Sequence, residues 1–325
     1  MTEQLLLTGG TGFFGRALLR HHLARNQEYR LPIVVLSRDP QRFQAAYPEL
    51  SSCSGLRYLK GDIQNRASLP WGESFSHVLH AATDSTIGPS LTPLERYDQI
   101  VEGTRNILDL ALATGARRFL LTSSGAIYGP QPADLAAIPE DWQGSPKIAD
   151  PTTAYGQAKR AAEHLCALYA DQHGLETVLA RCFAFVGPDL PLNVHFAIGN
   201  FIRDALAADA ITVYSDGTAL RSYLGQSDLA HWLLTLLLRG RPGEAYNVGS
   251  DEVISIADLA HLVRDILAPV KPVHIKGLPD LTVCRNCYVP DILKIQRELD
   301  LRITLPLTES IHSVGSFYRV GGLIC

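Results

Sequence analysis

The sequence predicts an α/β fold: a doubly wound parallel sheet with helices on both faces, followed by a smaller C-terminal α/β lobe. Two observations support this prediction. Short, almost continuously apolar runs alternate with helical patterns, which is typical of parallel strands buried on both faces. After about residue 187 the pattern weakens into shorter elements. We therefore expect residues 1–187 to form the sheet domain and residues 188–325 to form mainly the second lobe, with some chain returning to the first.

Six apolar runs are predicted to be the strands of the sheet. They cover residues 4–8, 31–37, 56–61, 77–82, 118–124 and 177–183. Between them lie helical patterns, of which the longest span residues 94–114 and 152–173. The stretch 128–150 carries several prolines and predicts a long loop.

The composition describes an ordinary folded protein and excludes several classes of partner. The chain has 325 residues, of which 46% are hydrophobic and 19% charged, and its formal net charge is −4. This charge gives no electrostatic reason to expect nucleic acid or an anionic membrane as partner. The apolar runs, such as "LLL" near the N-terminus and "LAHWLLTLLL", are too short for a signal peptide or a spanning helix. We expect a cytoplasmic protein.

The six cysteines indicate neither a disulfide framework nor a metal site. They are scattered at positions 53, 166, 182, 284, 287 and 325, which fits reduced thiols. Cys284 and Cys287 form one tight pair in "CRNC". A zinc site needs about four ligands, and even with His274 the set is incomplete. We expect no metal.

A glycine-rich turn follows the first predicted strand directly. In "TGGTGFFGRALL" the glycines Gly9, Gly12 and Gly15 are three residues apart, between a strand and an amphipathic helix. Glycine allows the backbone to turn sharply and a pyrophosphate to approach the amides at the helix start. Alone, such a turn can be merely a tight connection. In this context it predicts a Rossmann-type dinucleotide-binding domain.

A tyrosine and a lysine lie one helical turn apart in "PTTAYGQAKRAAEH". Tyr155 and Lys159 are four residues apart, and good helix formers follow them, so both side chains should share a face. The pair is either a solvated surface pair or a device for proton transfer. The spacing alone does not decide between them.

Several motifs together resemble an extended short-chain dehydrogenase/reductase of the nucleotide-sugar epimerase, dehydratase and reductase group. They occur in the family's order and cover most of the chain to about residue 300. The matching segments are "TGGTGFFG", "GDI", "HAAT", "LLTSSGAIYG", "AYGQAK", "RCFAFVGP", "DGTALRSYL" and "YNVGS".

The resemblance implies a catalytic trio of Ser124, Tyr155 and Lys159. In this family the tyrosine is the acid/base, the lysine lowers its pKa and holds the nicotinamide ribose, and a serine or threonine binds the substrate oxygen. The chemistry agrees, because a free phenol titrates near pH ~10 and a nearby cation favours its anion. Ser123 is the nearest competitor for the serine role.

The resemblance also implies which residues contact the cofactor. Ala81, Ala82 and Thr83 should line the phosphate and nicotinamide side, and Asp62 and Ile63 the adenine. The full set is Gly9, Thr11, Gly12, Phe13, Phe14, Gly15, Ser37, Arg38, Asp62, Ile63, Ala81, Ala82, Thr83, Thr122, Tyr155 and Lys159.

The end of the second strand distinguishes between two cofactors. An acidic residue there would bind the ribose hydroxyls of NAD. The sequence places Ser37 and Arg38 at this point, a hydroxyl and a guanidinium suited to the 2′-phosphate of NADP. Asp39 follows at once and would select NAD if the strand ended one residue later. We expect NADP, with NAD as the alternative.

On the substrate side, the resemblance implies contacts from Ser124, Asn200, Arg221 and Arg285. Arg221 matches an arginine that binds the nucleotide diphosphate. Dehydratases of the family carry an acidic pair after the catalytic threonine, whereas this chain has Gly125 and Ala126. That difference excludes a sugar 4,6-dehydratase. Ala184 replaces an asparagine that contacts the substrate in many relatives.

Three functions follow from these residues. The first is NADPH-dependent reduction of a 4-keto-6-deoxy sugar nucleotide, and the second is a nucleotide-sugar 4-epimerase with tightly bound NAD. The third is a catalytically silent dinucleotide-binding protein, against which the intact trio argues. The resemblance further implies a homodimer in which helices 94–114 and 152–173 pair across a two-fold axis.

Overall fold

The main sheet of the protein contains seven parallel strands. We analysed a computed structural model, which describes residues 3–24, 31–51, 55–83, 91–278 and 286–320. The strands of this sheet are β1 Leu5–Thr8, β2 Ile33–Ser37, β3 Leu56–Lys60, β4 His77–His80, β5 Arg118–Ser124, β6 Glu176–Cys182 and β11 Ala245–Val248. Their spatial order is β11-β6-β5-β4-β1-β2-β3, and every neighbouring pair is parallel.

Helices cover both faces of this sheet and build the second lobe. They are α1 Phe13–Ala24, α2 Pro40–Ala46, α3 Pro48–Ser51, α4 Pro93–Ala113, α5 Ala154–His173, α6 Ala197–Ala207, α7 Gln226–Arg239, α8 Ile256–Leu267, α9 Leu293–Leu299 and α10 Leu307–Arg319. The predicted α/β fold with a doubly wound parallel sheet is confirmed. The six predicted strands are all present, with ends that differ from the prediction by at most two residues.

Two apolar layers hold the helices on the sheet. On one face α4 and α5 pack over side chains such as Leu6, Val78 and Phe119. On the other face α1 and α7 pack over Leu7 and Leu120, and this layer continues into the second lobe. The alternation follows from the two-residue period of a strand, which sends neighbouring side chains to opposite faces.

The seventh strand, β11, returns the chain to the sheet after the second lobe has begun. The segment "EAYNVGS" appears in the sequence as one of the shorter elements after residue 187, yet Ala245–Val248 pairs with β6 at the sheet edge. Helix α7 precedes it and packs against α1. The chain therefore contributes one helix and one strand to the first domain from beyond residue 187.

The second lobe combines α6, α8 and α10 with short strands. These strands are β7 Phe185–Val186, β8 Ile211–Val213, β9 Leu220–Arg221, β10 Leu224–Gly225, β12 Ile254–Ser255, β13 Val273–Ile275 and β14 Cys287–Tyr288. Strand β9 lies between β12 and β14, and Arg221 is in register with Tyr288. Through this pairing a late segment of the chain lies beside the predicted substrate arginine.

The predicted long loop is also present, because residues 129–150 contain turns and one isolated bridge, between Ile138 and Pro290. Within the described ranges, no helix combines the length and the apolar character that crossing a bilayer requires.

The apolar residues at helical spacing on the two long helices pack mainly inward. Five of them lie in the layer against the sheet, namely Ile100, Ile107, Leu108, Leu165 and Tyr169. Leu168 differs, with 38% of its surface exposed. The homodimer therefore stays a prediction.

Candidate active site

The glycine-rich turn is closely packed on two sides and open at the start of α1. Gly9 has a φ of +73°, and a Cβ there would lie 2.4 Å from the carbonyl oxygen of Ala81. A Cβ on Gly15 would lie 2.2 Å from the backbone of Gly10. At Gly12 the nearest such atom is 3.5 Å away. The turn thus brings α1 close to the sheet and leaves backbone open where a pyrophosphate would approach, so it fits a dinucleotide.

Thr11, Phe13 and Phe14, which the sequence analysis predicted to contact the cofactor, differ in what surrounds them. Phe13 is buried in the core, and Phe14 packs edge-on against Phe185 with ring centroids 5.1 Å apart. The carbonyl of Thr11 accepts a hydrogen bond from Arg16. Both phenylalanines anchor α1, which makes them supports of the turn.

Beyond β3 and β4, two further loops reach the same edge of the sheet. The Asp62 carboxylate accepts the backbone N–H of Gln64, and Ile63 packs against Gly103 of α4. The N–H of Ala82 donates to the Thr8 hydroxyl at 3.3 Å. The carboxyl ends of parallel strands carry ligand sites in this fold, so these loops lie where the sequence predicted cofactor contacts.

The end of β2 separates the roles of Ser37, Arg38 and Asp39. The Asp39 carboxylate accepts the N–H of Arg42 at 3.0 Å and caps α2. The Ser37 hydroxyl accepts the N–H of Asp39 at 3.3 Å, and Arg38 is exposed. A carboxylate engaged at a helix N-terminus is held by the helix dipole and its amides.

The structure brings together the three residues of the predicted trio. Ser124 ends β5, and Tyr155 is the second residue of α5. The Ser124 side chain is hydrogen-bonded to the phenol of Tyr155. Lys159 is 3% exposed, and its Nζ lies 5.9 Å from the centre of the Tyr155 ring. The pair is therefore not a solvated surface pair.

Lys159 directs its ammonium group toward the sheet. Its Nζ donates to the Thr83 hydroxyl at 3.0 Å and to the carbonyl of Thr122 at 2.7 Å. The Thr122 hydroxyl in turn donates to the carbonyl of His80 at 3.1 Å. Thr122 thus contributes its carbonyl to Lys159, while its side chain is engaged within the sheet.

Burial sets the protonation of the two central groups. Burial is the largest effect on Tyr155 and raises the pKa of its phenol to about 12, against a smaller lowering by Ser124. Burial also lowers the pKa of Lys159 to about 8. The sequence analysis expected Lys159 to lower the pKa of the phenol. The ammonium is directed to Thr83 and Thr122, and burial is the largest effect on the phenol, so this role of Lys159 stays a prediction.

His80 lies behind the lysine and is neutral. Its Nδ1 and the Thr8 hydroxyl are 2.7 Å apart, and its Nε2 and the Thr104 hydroxyl are 3.3 Å apart. Burial, with the charge of Lys159, lowers the pKa of His80 to about 3. A neutral ring between two hydroxyls adds no second positive charge beneath the lysine.

Ser123, the competitor for the serine role, points into a different environment. Its hydroxyl donates to Glu163 at 2.5 Å, and Glu163 pairs with Arg181 at 2.9 Å. Arg181 also donates to the Tyr128 hydroxyl at 2.8 Å. We call Ser123, Glu163, Arg181 and Tyr128 the ionic cluster. The last three line an open groove of about 1100 Å³ beside α4 and α5.

The predicted substrate residues are not all brought to the trio. Arg221 is in register with Tyr288 on the neighbouring strand, which places it near the site. The Asn200 side chain accepts from Arg203 at 2.9 Å, and no contact in the described ranges links it to the trio. Arg285 lies outside the described residues.

Tyr288 is a site residue that the sequence analysis did not select. The Ser124 side chain is hydrogen-bonded to its phenol, and burial raises the pKa of that phenol. Its ring packs against Phe183 with centroids 4.6 Å apart. The sequence signal for it is weak, because Tyr288 belongs to a two-residue strand that reaches the site through pairing with β9.

The cysteines that the structure describes carry no metal cluster. Cys166 and Cys182 are buried and Cys287 is half-buried. Cys53, Cys284 and Cys325 lie outside the described ranges. Among the residues with described positions, no group of three His, Cys, Asp or Glu side chains has the geometry to hold a metal ion.

Comparison with known proteins identifies relatives over most of the chain. A model of the NAD dependent epimerase/dehydratase family matches residues 5–249. A UDP-glucose 4-epimerase from Streptomyces lividans is 30% identical over 82% of this chain and 82% of its own. A UDP-glucuronic acid decarboxylase 6 from Arabidopsis thaliana is 29% identical over 98% of this chain and 89% of its own. A UDP-glucuronic acid decarboxylase 1 from Danio rerio is 32% identical, but this chain spans only 53% of its length.

Solved structures share the fold across nearly the whole chain. DesIV, a dTDP-glucose 4,6-dehydratase from Streptomyces venezuelae with NAD and TYD bound, has a TM-score of 0.84 at 23% identity, covering 98% of this chain and 97% of that one. RMD from Pseudomonas aeruginosa, complexed with NADPH, has a TM-score of 0.79 at 24% identity, covering 98% and 99%. Either nicotinamide dinucleotide is thus bound by proteins of this fold.

Proposed function

Because the chain belongs to the NAD-dependent epimerase/dehydratase family, we propose that it is an NADPH-dependent reductase of a nucleotide-activated keto sugar. The substrate class is a 4-keto-6-deoxy sugar nucleotide. The observation that carries this proposal is that Ser124 contacts the phenol of Tyr155, with the Nζ of Lys159 5.9 Å from the centre of the phenol ring. Burial raises the pKa of that phenol to about 12, so its hydroxyl is protonated at neutral pH, as an ordinary phenol is. A protonated phenol is the form that can donate to a carbonyl oxygen as it is reduced.

The trio supplies the groups that such a reduction needs from the protein. Ser124 holds the keto oxygen with its hydroxyl, and Tyr155 gives that oxygen a proton as negative charge develops on it. The dinucleotide, when bound, supplies the hydride to the keto carbon. Lys159, with its pKa lowered to about 8, carries most of its positive charge at neutral pH and lies 5.9 Å from the Tyr155 ring. The product is the corresponding alcohol.

The end of β2 supports NADP as the cofactor. Asp39, which would be the ribose ligand of an NAD enzyme, is engaged as the cap of α2. Ser37 and the exposed Arg38 precede it and offer a hydroxyl and a guanidinium to a 2′-phosphate. The glycine turn and the loops after β1, β3 and β4 would hold the rest of the dinucleotide.

The residues after Ser124 argue against elimination of water. Gly125 and Ala126 have no side-chain group that can take up or release a proton, and the hydroxyl of Ser124 accepts the N–H of Ala126 at 3.1 Å. The acidic pair of the dehydratases thus has no counterpart at these positions.

A nucleotide-sugar 4-epimerase is the second candidate. The 30% identity to a UDP-glucose 4-epimerase favours it. An epimerase first oxidises its substrate, for which Tyr155 would have to accept a proton. The reductase is placed first because Ser37 and Arg38 stand at the end of β2, where an NAD enzyme would carry an acidic ribose ligand.

The decisive experiment is a comparison of cofactors and substrates. We expect the purified protein to consume NADPH with UDP- or dTDP-4-keto-6-deoxyglucose, followed by the absorbance of the reduced nicotinamide. Arg38→Ala should lower kcat/KM for NADPH by about 10–100-fold, because charged hydrogen bonds to a phosphate are lost, and leave NADH unchanged. Tightly bound NAD with epimerisation in the absence of added cofactor would establish the epimerase. Tight NADPH binding without any turnover would establish a silent binding protein.

We propose as well that the protein is a homodimer formed through α4 and α5. Leu94 at the start of α4 is 69% exposed and Leu168 on α5 is 38% exposed, so both helices present apolar side chains outward. Light scattering should give twice the monomer mass, and Leu168→Glu should shift the mass toward the monomer. A monomer mass that does not change with concentration would contradict the dimer.

A further inference from the structure

Two phenols, not one, contact the serine of the trio. The Ser124 side chain is hydrogen-bonded to the hydroxyl of Tyr155, which comes from α5, and to that of Tyr288, which comes from β14 in the second lobe. The two tyrosines thus reach one oxygen from two different parts of the chain. We call Tyr155, Ser124 and Tyr288 the hydroxyl row.

Gly125 leaves the space that the second phenol occupies. A Cβ at this position would lie 2.6 Å from the Tyr288 hydroxyl oxygen and 2.7 Å from Cζ of Phe183. Neither distance is compatible with a side chain, since both are far inside van der Waals contact. Phe183 packs on the Tyr288 ring and holds it in place. The residue after Ser124 is thus a glycine for a steric reason, and the hydroxyl of Tyr288 lies where its side chain would begin.

The hydroxyl row must rearrange when a substrate binds. A serine hydroxyl donates one hydrogen bond and accepts two. Ser124 already accepts the N–H of Ala126, so it can accept from one phenol and donate its proton to the other. When a keto oxygen takes the serine proton and the Tyr155 proton, the Tyr288 hydroxyl can donate to Ser124, but its own oxygen is left without a hydrogen-bond partner, which is costly for a buried polar group.

A sugar supplies that partner beside the keto group. In a 4-keto-6-deoxy hexose, C5 carries the ring oxygen and the methyl group, so the only hydroxyl on a carbon next to the keto carbon is at C3. The keto oxygen and the Tyr288 hydroxyl are both hydrogen-bonded to the same serine oxygen, so they are at most ~6 Å apart. An oxygen on the neighbouring carbon lies within that span.

We propose that Tyr288 is a specificity-determining residue that hydrogen-bonds the C3 hydroxyl of the keto sugar, and that Gly125 admits it to the site. This inference rests on the proposed reductase function. Its chemical consequence is a preference for keto sugars that keep the C3 hydroxyl over 3-deoxy sugars. A site with a polar group for a substrate hydroxyl discriminates strongly against an analogue that lacks it.

The test is a thermodynamic cycle that combines one substitution in the protein with one change in the substrate, and it measures whether the two changes are coupled. The parent and Tyr288→Phe are each assayed with a 4-keto-6-deoxy and a 4-keto-3,6-dideoxy sugar nucleotide of the same base. We expect kcat/KM to fall by about 5–100-fold when either the phenol hydroxyl or the C3 hydroxyl is removed, and to fall little further when both are removed. Tyr214→Phe, at a tyrosine that is 84% exposed, is the matched control and should behave as the parent with both substrates.

Three results would overturn the proposal. Equal losses with both substrates would mean that Tyr288 acts only through Ser124 or through packing. Unchanged kinetics of Tyr288→Phe would mean that it does not contact the sugar. In Gly125→Ala the added methyl group should displace the phenol and so change the ratio of kcat/KM values for the two substrates. A ratio equal to that of the parent would contradict the steric role of the glycine. If the parent reduces neither substrate, the proposed function itself fails, and this is seen before any variant is compared.

Discussion

Ser123 and Ser124 are neighbours on one strand and belong to opposite kinds of environment. Ser123 enters the ionic cluster, where a carboxylate, a guanidinium and a phenol satisfy each other at 2.5–2.9 Å. Ser124 enters the hydroxyl row, where two phenols share one serine hydroxyl. The first set of contacts is complete within the chain, whereas the second becomes complete when a substrate binds. From this difference we expect the ionic cluster to stabilise the fold and the hydroxyl row to perform the chemistry.

The largest expected effect lies in the hydroxyl row. Tyr155→Phe should lower kcat by about 10²–10⁴-fold, because it removes the proton donor, with little change in KM or in melting temperature. The assay is NADPH consumption with a keto sugar nucleotide, together with a titration of NADPH binding. Turnover equal to that of the parent would exclude Tyr155 as the acid.

The ionic cluster should respond in stability instead. Arg181→Met leaves Glu163 buried without its cation and should lower the free energy of unfolding by about 3–5 kcal/mol, measured in urea. Arg302→Met is the matched control, because its pair with Asp300 is 72% and 85% exposed and should contribute under about 1 kcal/mol. A similar small loss for both variants would contradict the assignment of the cluster to stability.

The two serines allow the same comparison to be made by removing a single hydroxyl oxygen from each environment. Ser124→Ala should lower kcat/KM by about tenfold to a hundredfold at unchanged stability, which is less than the loss for Tyr155→Phe. Ser123→Ala should leave kinetics unchanged and cost about 1–3 kcal/mol, because Glu163 loses a buried hydrogen bond. The sequence analysis considered Ser123 a substitute for Ser124, but its contact with Glu163 argues against that role. Activity lost in Ser123→Ala would reverse the assignment.

The smallest expected effect is a dependence on pH with opposite signs in two measurements. Burial lowers the pKa of Lys159 to about 8, so the rate of reduction should fall as pH rises through that value and the ammonium is lost. Stability should move the other way. In the unfolded chain the lysine has its ordinary pKa of 10.5 and keeps its proton, whereas in the folded protein it loses the proton near pH 8. Between pH 8 and 10.5 the lysine therefore contributes a rise in the free energy of unfolding as the pH increases. Lys159→Met should lack both trends, and a parent-like profile in that variant would assign them elsewhere.

Sequence patterns predicted the elements whose signals are local. Gly9 and Gly15 follow a strand within a few residues, and Tyr155 and Lys159 share one helix turn, so each signal is contained in a short segment. Tyr288 was missed because its two-residue strand gains its position from pairing with β9 in the second lobe. The burial that raises the pKa of Tyr155 was missed for a related reason. Its burial depends on tertiary packing, which no window of sequence reports.

The return of the chain at β11 has a consequence for synthesis on the ribosome. Strand β6 borders β11 in the finished sheet, and α7 covers α1 with fully buried side chains such as Trp232 and Leu233. Until residue 248 has left the ribosomal exit tunnel, the emerging chain therefore carries an unpaired strand edge and an uncovered apolar helix. Both are features that attract other chains and chaperones. The seven-stranded sheet, although six of its strands are encoded first, is therefore completed only after part of the second lobe has been made.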